Sequence, residues 1–158
     1  MPALVLPDVL DVAEGLATGL GGVALDGVGL GLAPGVGRAF RRLVGTPEYE
    51  AWLIEWGPSG ALDLHDHGGS VGAVHVVSGH LIEAFTDLRH PLPLRAQRLG
   101  VGEGARLTAT RVHEVWNAGP GTARSVHVYS PPLTTMTYYD HRPDRFLAPL
   151  RTEAVEGP

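Results

Sequence analysis

Two histidines one residue apart, His65 and His67 in the stretch DLHDHGGSVGAVHVVSG (Asp63 to Gly79), have the types and spacing to do chemistry. Side chains on a β-strand alternate between its faces, so His-x-His sends both imidazoles to one side and Asp66 to the other. Two convergent imidazoles point to a metal such as Zn, Cu, Fe or Ni, and a catalytic metal site normally takes three protein ligands with positions left open. The best candidate for the third is His113 in HEVWN, which lies in another run that reads as strand, close to a turn, with Asn117 following after three residues. The competing reading is a pair of unrelated surface histidines. The flanking strand pattern, the Gly-rich turn and the later HxxxN favour the metal.

With no cysteine anywhere, the chain has no disulfide, no thiolate ligand and no Cys nucleophile, so nitrogen and oxygen must hold any metal. A length of 158 residues suits one domain, and 22 Gly with 13 Pro imply many turns and favour β architecture. Net charge is −5, and all 12 basic residues are scattered arginines, which leaves no footprint for nucleic acid. The first basic residue is Arg38 and no apolar run reaches membrane-spanning length, so the expectation is a cytoplasmic protein without membrane association.

The elements that must position these histidines are short strands. They are expected near Ala39–Val44, Tyr49–Trp56, Leu62–His67, Gly72–Val77, Leu81–Thr86, Leu94–Leu99, Arg106–Ala109, His113–Trp116, Ala123–Tyr129 and Thr134–Asp140, each bounded by Gly or Pro turn signals. Before them, Leu6, Val9, Leu10, Ala13, Leu16, Ala17 and Leu20 recur at helical spacing, which predicts one amphipathic helix from Pro7 to Leu20 packed outside the β domain. Gly19 to Gly37 reads as a connecting loop, since it holds neither GxGxxG nor GxxxxGK. The expected division is residues 1–37 as helix and connection, 38–150 as the β domain, and 151–158 as a frayed tail.

In RSVHVYSPP, Ser125, His127 and Tyr129 alternate with Val126 and Val128. If exposed, that polar face is an ordinary amphipathic strand. If turned inward, it stacks three hydrogen-bonding groups in a line.

HxH followed by Gly79, with HxxxN some 45 residues on, resembles in its spacing the two motifs of the cupin family. Read together, WGPSGALDLHDHGGSVGAVHVVSG, HEVWN and SVHVYSPP resemble the cysteine dioxygenase (thiol dioxygenase) family of cupins, from about Phe40 to Asp140. The resemblance implies an all-β double-stranded β-helix, or jelly-roll barrel, with the short helix N-terminal to it. It also implies a mononuclear Fe(II) held by His65, His67 and His113 without a carboxylate, and a hydrogen-bonded relay of Ser125, His127 and Tyr129. The substrates implied are a small thiol, L-cysteine first, and O2. At Gly72, where many cupins have Glu and animal members of the family have a Cys crosslinked to the active-site Tyr, there is no side chain. Tyr129 is therefore expected to be a free phenol, as in similar bacterial members.

A substrate carboxylate needs a cation, and Arg is the better fork for it. In RAFRRLV, Phe40, Arg42 and Val44 share a face opposite Arg41, and the family's Tyr-x-Arg corresponds to Phe40-x-Arg42, so Arg42 is the expected carboxylate partner. The alternative for Arg42 is an exposed edge charge. His75 is read as a satisfied or surface histidine and is the alternative ligand. His80, His90 and His141 are read as solvated, Trp52 and Trp56 as core, and one of Tyr138 and Tyr139 as facing inward. The leading expectation is oxidation of L-cysteine to cysteine sulfinate by a monomer or weak homodimer. The rivals are dioxygenation of 3-mercaptopropionate or another small thiol carboxylate, a Zn or Mn cupin acting as isomerase or hydrolase, and a non-enzymatic ligand-binding cupin.

Overall fold

The computed structural model describes residues 5–21, 37–144 and 146–158. Most of the Gly-rich connection expected between Gly19 and Gly37 lies outside the described residues. Helix α1 (Leu6–Gly21) is followed by eleven strands: β1 (Arg38–Gly45), β2 (Glu50–Trp56), β3 (Ala61–His65), β4 (Val71–Ser78), β5 (Leu81–Asp87), β6 (Arg95–Leu99), β7 (Gly104–Leu107), β8 (Arg111–Trp116), β9 (Ala123–Ser130), β10 (Thr135–His141) and β11 (Leu147–Ala154). The ten expected strands and the helix are all present. None of the described helical structure is long and apolar enough to cross a membrane.

The strands form two antiparallel sheets, ordered β1-β2-β9-β4-β7 and β11-β10-β3-β8-β5-β6. Their inner faces enclose the main core, which includes Trp52, Ile54, Trp56, Val74, Leu81, Leu107, Val115 and Met136. On the other side of the five-stranded sheet, α1 lays Val9, Ala13 and Ala17 over Ala51, Ala73, Val126 and Val128. The small residues at this contact let the helix sit close to the sheet. β2 is thus covered on both faces, and every residue of EAWLIEW is buried.

The alternation in β9 is settled by this packing. Val126 and Val128 face the helix, so Ser125, His127 and Tyr129 face the space between the sheets.

The C-terminal residues differ from expectation. Arg151 to Ala154 are not frayed but complete β11, which pairs with β10 in a register that matches Tyr138 with Arg151 and Thr135 with Ala154. The strand was hidden because it lies at a sheet edge, carries Pro149 and exposes most of its side chains, so it lacks the apolar alternation that marks a half-buried strand. Beyond it, the Val155 amide donates to Thr134 O at 3.0 Å. Gly157 and Pro158 are buried, and a Cβ on Gly157 would come within 2.8 Å of the Trp52 ring.

Candidate metal centre

β3 ends at His65, and the chain then turns at Gly68 and Gly69, so His67 lies just past the strand and before the turn. Gly68 takes φ 60°, and a Cβ there would strike Thr135 Oγ1 at 2.5 Å, so the turn needs glycine for conformation and for space. Asp66, sent to the opposite side as the alternation predicts, ties this turn to β10. Its Oδ1 accepts the amides of Gly68 and Thr137, each at 3.0 Å, and its Oδ2 accepts the Tyr139 hydroxyl at 2.9 Å. Tyr139 is thereby committed to Asp66, and Tyr138 is the neighbour that faces inward, 5.9 Å from the His65 ring.

β8 places His113 directly opposite His65 in the ladder. The rings of His65, His67 and His113 form a triangle with every centroid separation 4.8 Å, and their candidate ligand atoms all lie within 4.8 Å of one another. All three residues are essentially solvent-free.

Hydrogen bonding fixes which nitrogen faces the centre. A carbonyl oxygen only accepts, so the 2.6 Å contact from His65 Nδ1 to Asp63 O makes Nδ1 the protonated atom. His65 Nε2 is left as a buried lone pair with no hydrogen-bond partner. His113 Nδ1 donates in the same way to Glu83 Oε2 at 2.6 Å. His113 Nε2 then faces His67 Nε2 at 3.2 Å. Nitrogens bonded at about 2.0–2.1 Å to one ion at angles near 90–109° stand roughly 3 Å apart, so this donor set fits a single metal.

Electrostatics agrees with ligand duty. Burial above all, then the neighbouring imidazoles led by His113, pushes His65 and His67 well below the usual imidazole range, which leaves both rings neutral, each with one nitrogen free to ligate. Behind His113, burial pushes the Glu83 carboxyl up, but the hydrogen bonds and charges of His113 and Arg111 outweigh it and bring the group to about 2. Glu83 therefore stays anionic, held also by Gln97 Nε2 at 2.7 Å. A carboxylate behind a ligating imidazole fixes its tautomer and raises its basicity.

A second polar line leads to the same centre. Trp56 Nε1 donates to Ser125 Oγ at 2.9 Å, Ser125 Oγ lies 2.9 Å from His127 Nε2, and His127 Nδ1 lies 3.1 Å from the Tyr129 hydroxyl. The Tyr129 ring stacks on His67 with centroids 5.3 Å apart. Burial first, then His113 and Arg38, lowers His127 to about 3, so its imidazole is neutral. Burial likewise drives the Tyr129 phenol far above its ordinary value, which keeps it protonated.

The structure thus brings His65, His67, His113, Ser125, His127 and Tyr129 together. It does not bring Arg42 or Phe40 with them. The Arg42 side chain is 52% exposed, with Nη2 3.7 Å from Glu50 and its guanidinium over the Trp52 ring. Phe40 is 45% exposed and meets Trp52 edge-on. His75 lies on the helix side of its strand, outside the cluster.

Three participants were not foreseen. Glu83 had a signal, since β5 puts an acid on the same face as Leu81 and Phe85, and a buried carboxylate needs a partner. Trp56 was assigned to the core, where it does sit, but a buried indole N–H also seeks an acceptor. Arg38 lies one strand step before Phe40 on the same face. Its guanidinium approaches the rings of Phe40 and Trp56 at 5.5 and 5.8 Å, and its Nη1 is enclosed without a hydrogen-bond partner. Burial lowers this guanidinium, and the Tyr129 and Tyr138 phenols offset part of that.

Among solved structures, an oxalate oxidase in complex with the substrate analogue glycolate superposes with a TM-score of 0.55 at 18% identity, covering 63% of this chain and 53% of that one. The match therefore spans about half the length of the oxalate oxidase. The protein TT1209 from Thermus thermophilus gives 0.55 at 20% identity, covering 63% and 88%. The Schizosaccharomyces pombe Cnp3 cupin domain gives 0.54 at 10% identity, covering 64% and 69%. Likeness at these identities establishes the cupin fold. Residues 35–142 match the family described as cysteine dioxygenase type I, well over half of the chain and every residue of both polar lines, and the protein belongs to that family.

Proposed function

We propose that the protein is an iron-dependent thiol dioxygenase that converts L-cysteine and O2 to cysteine sulfinic acid in the cytoplasm. The observation that carries this reading is the convergence of three buried imidazoles with a protonated Tyr129 in a solvent-free interior, in a chain of this family. His65, His67 and His113 would hold the metal. Fe(II), when bound, supplies one-electron chemistry with O2 and a double positive charge that favours a thiolate over a thiol, which Zn cannot match for want of redox states. The neutral donor set leaves that charge undiminished, because the Glu83 carboxylate stands behind His113 and that of Asp66 is turned toward β10. The product is a sulfinic acid, two steps up the thiol oxidation ladder.

Arg38 is the cation we assign to the substrate carboxylate. It acts electrostatically on His65, His127, Tyr129 and Tyr138, whereas Arg42 is engaged with Glu50. Anaerobic loading with Fe(II), followed by oxygen uptake and sulfinate analysis with a panel of thiols, tests the function. No thiol-dependent uptake would refute it, and a preference for 3-mercaptopropionate over cysteine would move the substrate to a thiol acid without the amine. For Arg38→Met, KM for cysteine is expected to rise about 10–100-fold, the range of a lost hydrogen bond to a charged group. Turnover of cysteamine, which lacks the carboxylate, should be unaffected. An unchanged KM for cysteine would remove Arg38 from this role.

A further inference from the structure

The line from Trp56 to Tyr129 has a direction, and the residue that sets it is Trp56. An indole N–H can only donate, so Ser125 Oγ accepts from Trp56 at 2.9 Å. Ser125 is fully enclosed, and among the described residues the acceptor that its side chain meets is His127 Nε2, also at 2.9 Å. If His127 carried its proton on Nε2, the serine oxygen would face two donors and its hydrogen would have no acceptor in a place that water does not reach. Leaving a buried donor unmade is the costly outcome. The neutral imidazole is therefore protonated on Nδ1 and donates to the Tyr129 oxygen at 3.1 Å. With that lone pair occupied, the phenolic hydrogen is turned away from His127.

We infer that Trp56 is a positioning residue: its indole N–H, acting through Ser125, holds His127 in the Nδ1–H tautomer and so makes the Tyr129 hydroxyl a hydrogen-bond donor toward the three-histidine centre. The inference rests on the proposed function only for what the hydroxyl serves there, an anionic oxygen or sulfur developing in the reaction. In the opposite polarity Tyr129 would donate to His127 and offer only a lone pair, which repels such a group. The order of donors is thus what separates a helpful phenol from an unhelpful one. The alternation of β2 and its register with β9 bring this about, since Trp56, Ile54 and Trp52 share the inner face with Ser125 and His127.

The test reads the tautomer without turnover. In protein loaded with diamagnetic Zn(II) and labelled with 15N-histidine, the His127 signals are assigned by their loss in His127→Gln. The expected pattern is Nδ1 as the protonated, pyrrole-type nitrogen and Nε2 as the pyridine-type one. The reverse pattern in the unaltered protein overturns the inference, and needs no variant to fold. In Trp56→Phe, which keeps an aromatic ring and removes the N–H, the two tautomers should mix, and the Fe(II) enzyme should lose about tenfold in kcat with KM for cysteine unchanged. In a Ser125→Ala background the same substitution should cost nothing further, because the link is already cut. An unmoved His127 spectrum in Trp56→Phe, or a loss that adds in full to that of Ser125→Ala, refutes the assignment. An enzyme that oxidises no thiol but shows the expected tautomer would refute the proposed reaction and leave the positioning role standing.

Discussion

His113→Ala is expected to emerge from Fe(II) reconstitution with almost no bound iron and to form no measurable sulfinate. Two effects combine in this change. The first is loss of one of three donors whose candidate ligand atoms lie within 4.8 Å of one another, which leaves two imidazoles to hold an ion that needs more. The second falls on Glu83, whose carboxylate gives up its 2.6 Å bond to His113 and keeps Arg111 and Gln97. Removing an outer partner of a ligating histidine typically costs about 10–100-fold in metal affinity, so Glu83→Gln should fall in that range while His113→Ala exceeds it. Iron analysis, together with sulfinate measured by chromatography, decides the matter. Full iron occupancy and unchanged product in His113→Ala would remove this residue from the centre and with it the proposed mechanism.

The metal-free protein should unfold in mildly acidic solution, beginning just below pH 6.5. His65, His67 and His127 are all held below the ordinary imidazole value of 6.5, mainly by burial. As pH falls past that value the unfolded chain takes up protons that the folded chain refuses, so stability is fully present above about 6.5 and declines below it. Each such group contributes a slope of about 1.4 kcal/mol per pH unit, and three together about 4. Domain stabilities of about 5–15 kcal/mol are exhausted within a few units on that slope. Glu83 adds a term of the same sign at lower pH, because its carboxyl, ordinarily at 4.5, is drawn down to about 2. A bound divalent metal competes with protons for the same nitrogens, so loading should carry the midpoint to lower pH. Circular dichroism during acid titration, with and without metal, measures both midpoints. Equal stability of the metal-free protein at pH 8 and pH 5 would contradict the buried-imidazole account.

Much of this centre could be read from spacing because strand geometry is local. HxH needs only the alternation of one chain segment to align two imidazoles, and SVHVYS needs only the same rule to line up three polar groups. Which face of β9 turns inward is different in kind, since it depends on the helix that covers Val126 and Val128. Arg38 was overlooked for a related reason. Arg38, Phe40 and Arg42 share one face of β1, and nothing in RAFRRLV tells how far along the strand the interior extends. The ladder answers that by pairing Arg38 with Trp56 and Arg42 with Trp52, which puts the first beside the relay and the second near Glu50. β11 escaped because an exposed edge strand owes its existence to the backbone of its neighbour rather than to a pattern of its own.

Gly72 stands opposite Tyr129 in the β4–β9 ladder, and a Cβ built on it would fall 2.9 Å from the phenol ring and 2.7 Å from Val128 O. The two positions therefore compete for one volume, and substitutions at them cannot be independent. A bulky residue introduced at 72 would displace the phenol, and a smaller residue at 129 would relieve that contact while leaving the one with Val128 O. Protein engineers who wish to give this scaffold a fourth, acidic ligand at 72 would have to make room beside the phenol and at the Val128 carbonyl of β9 in the same step.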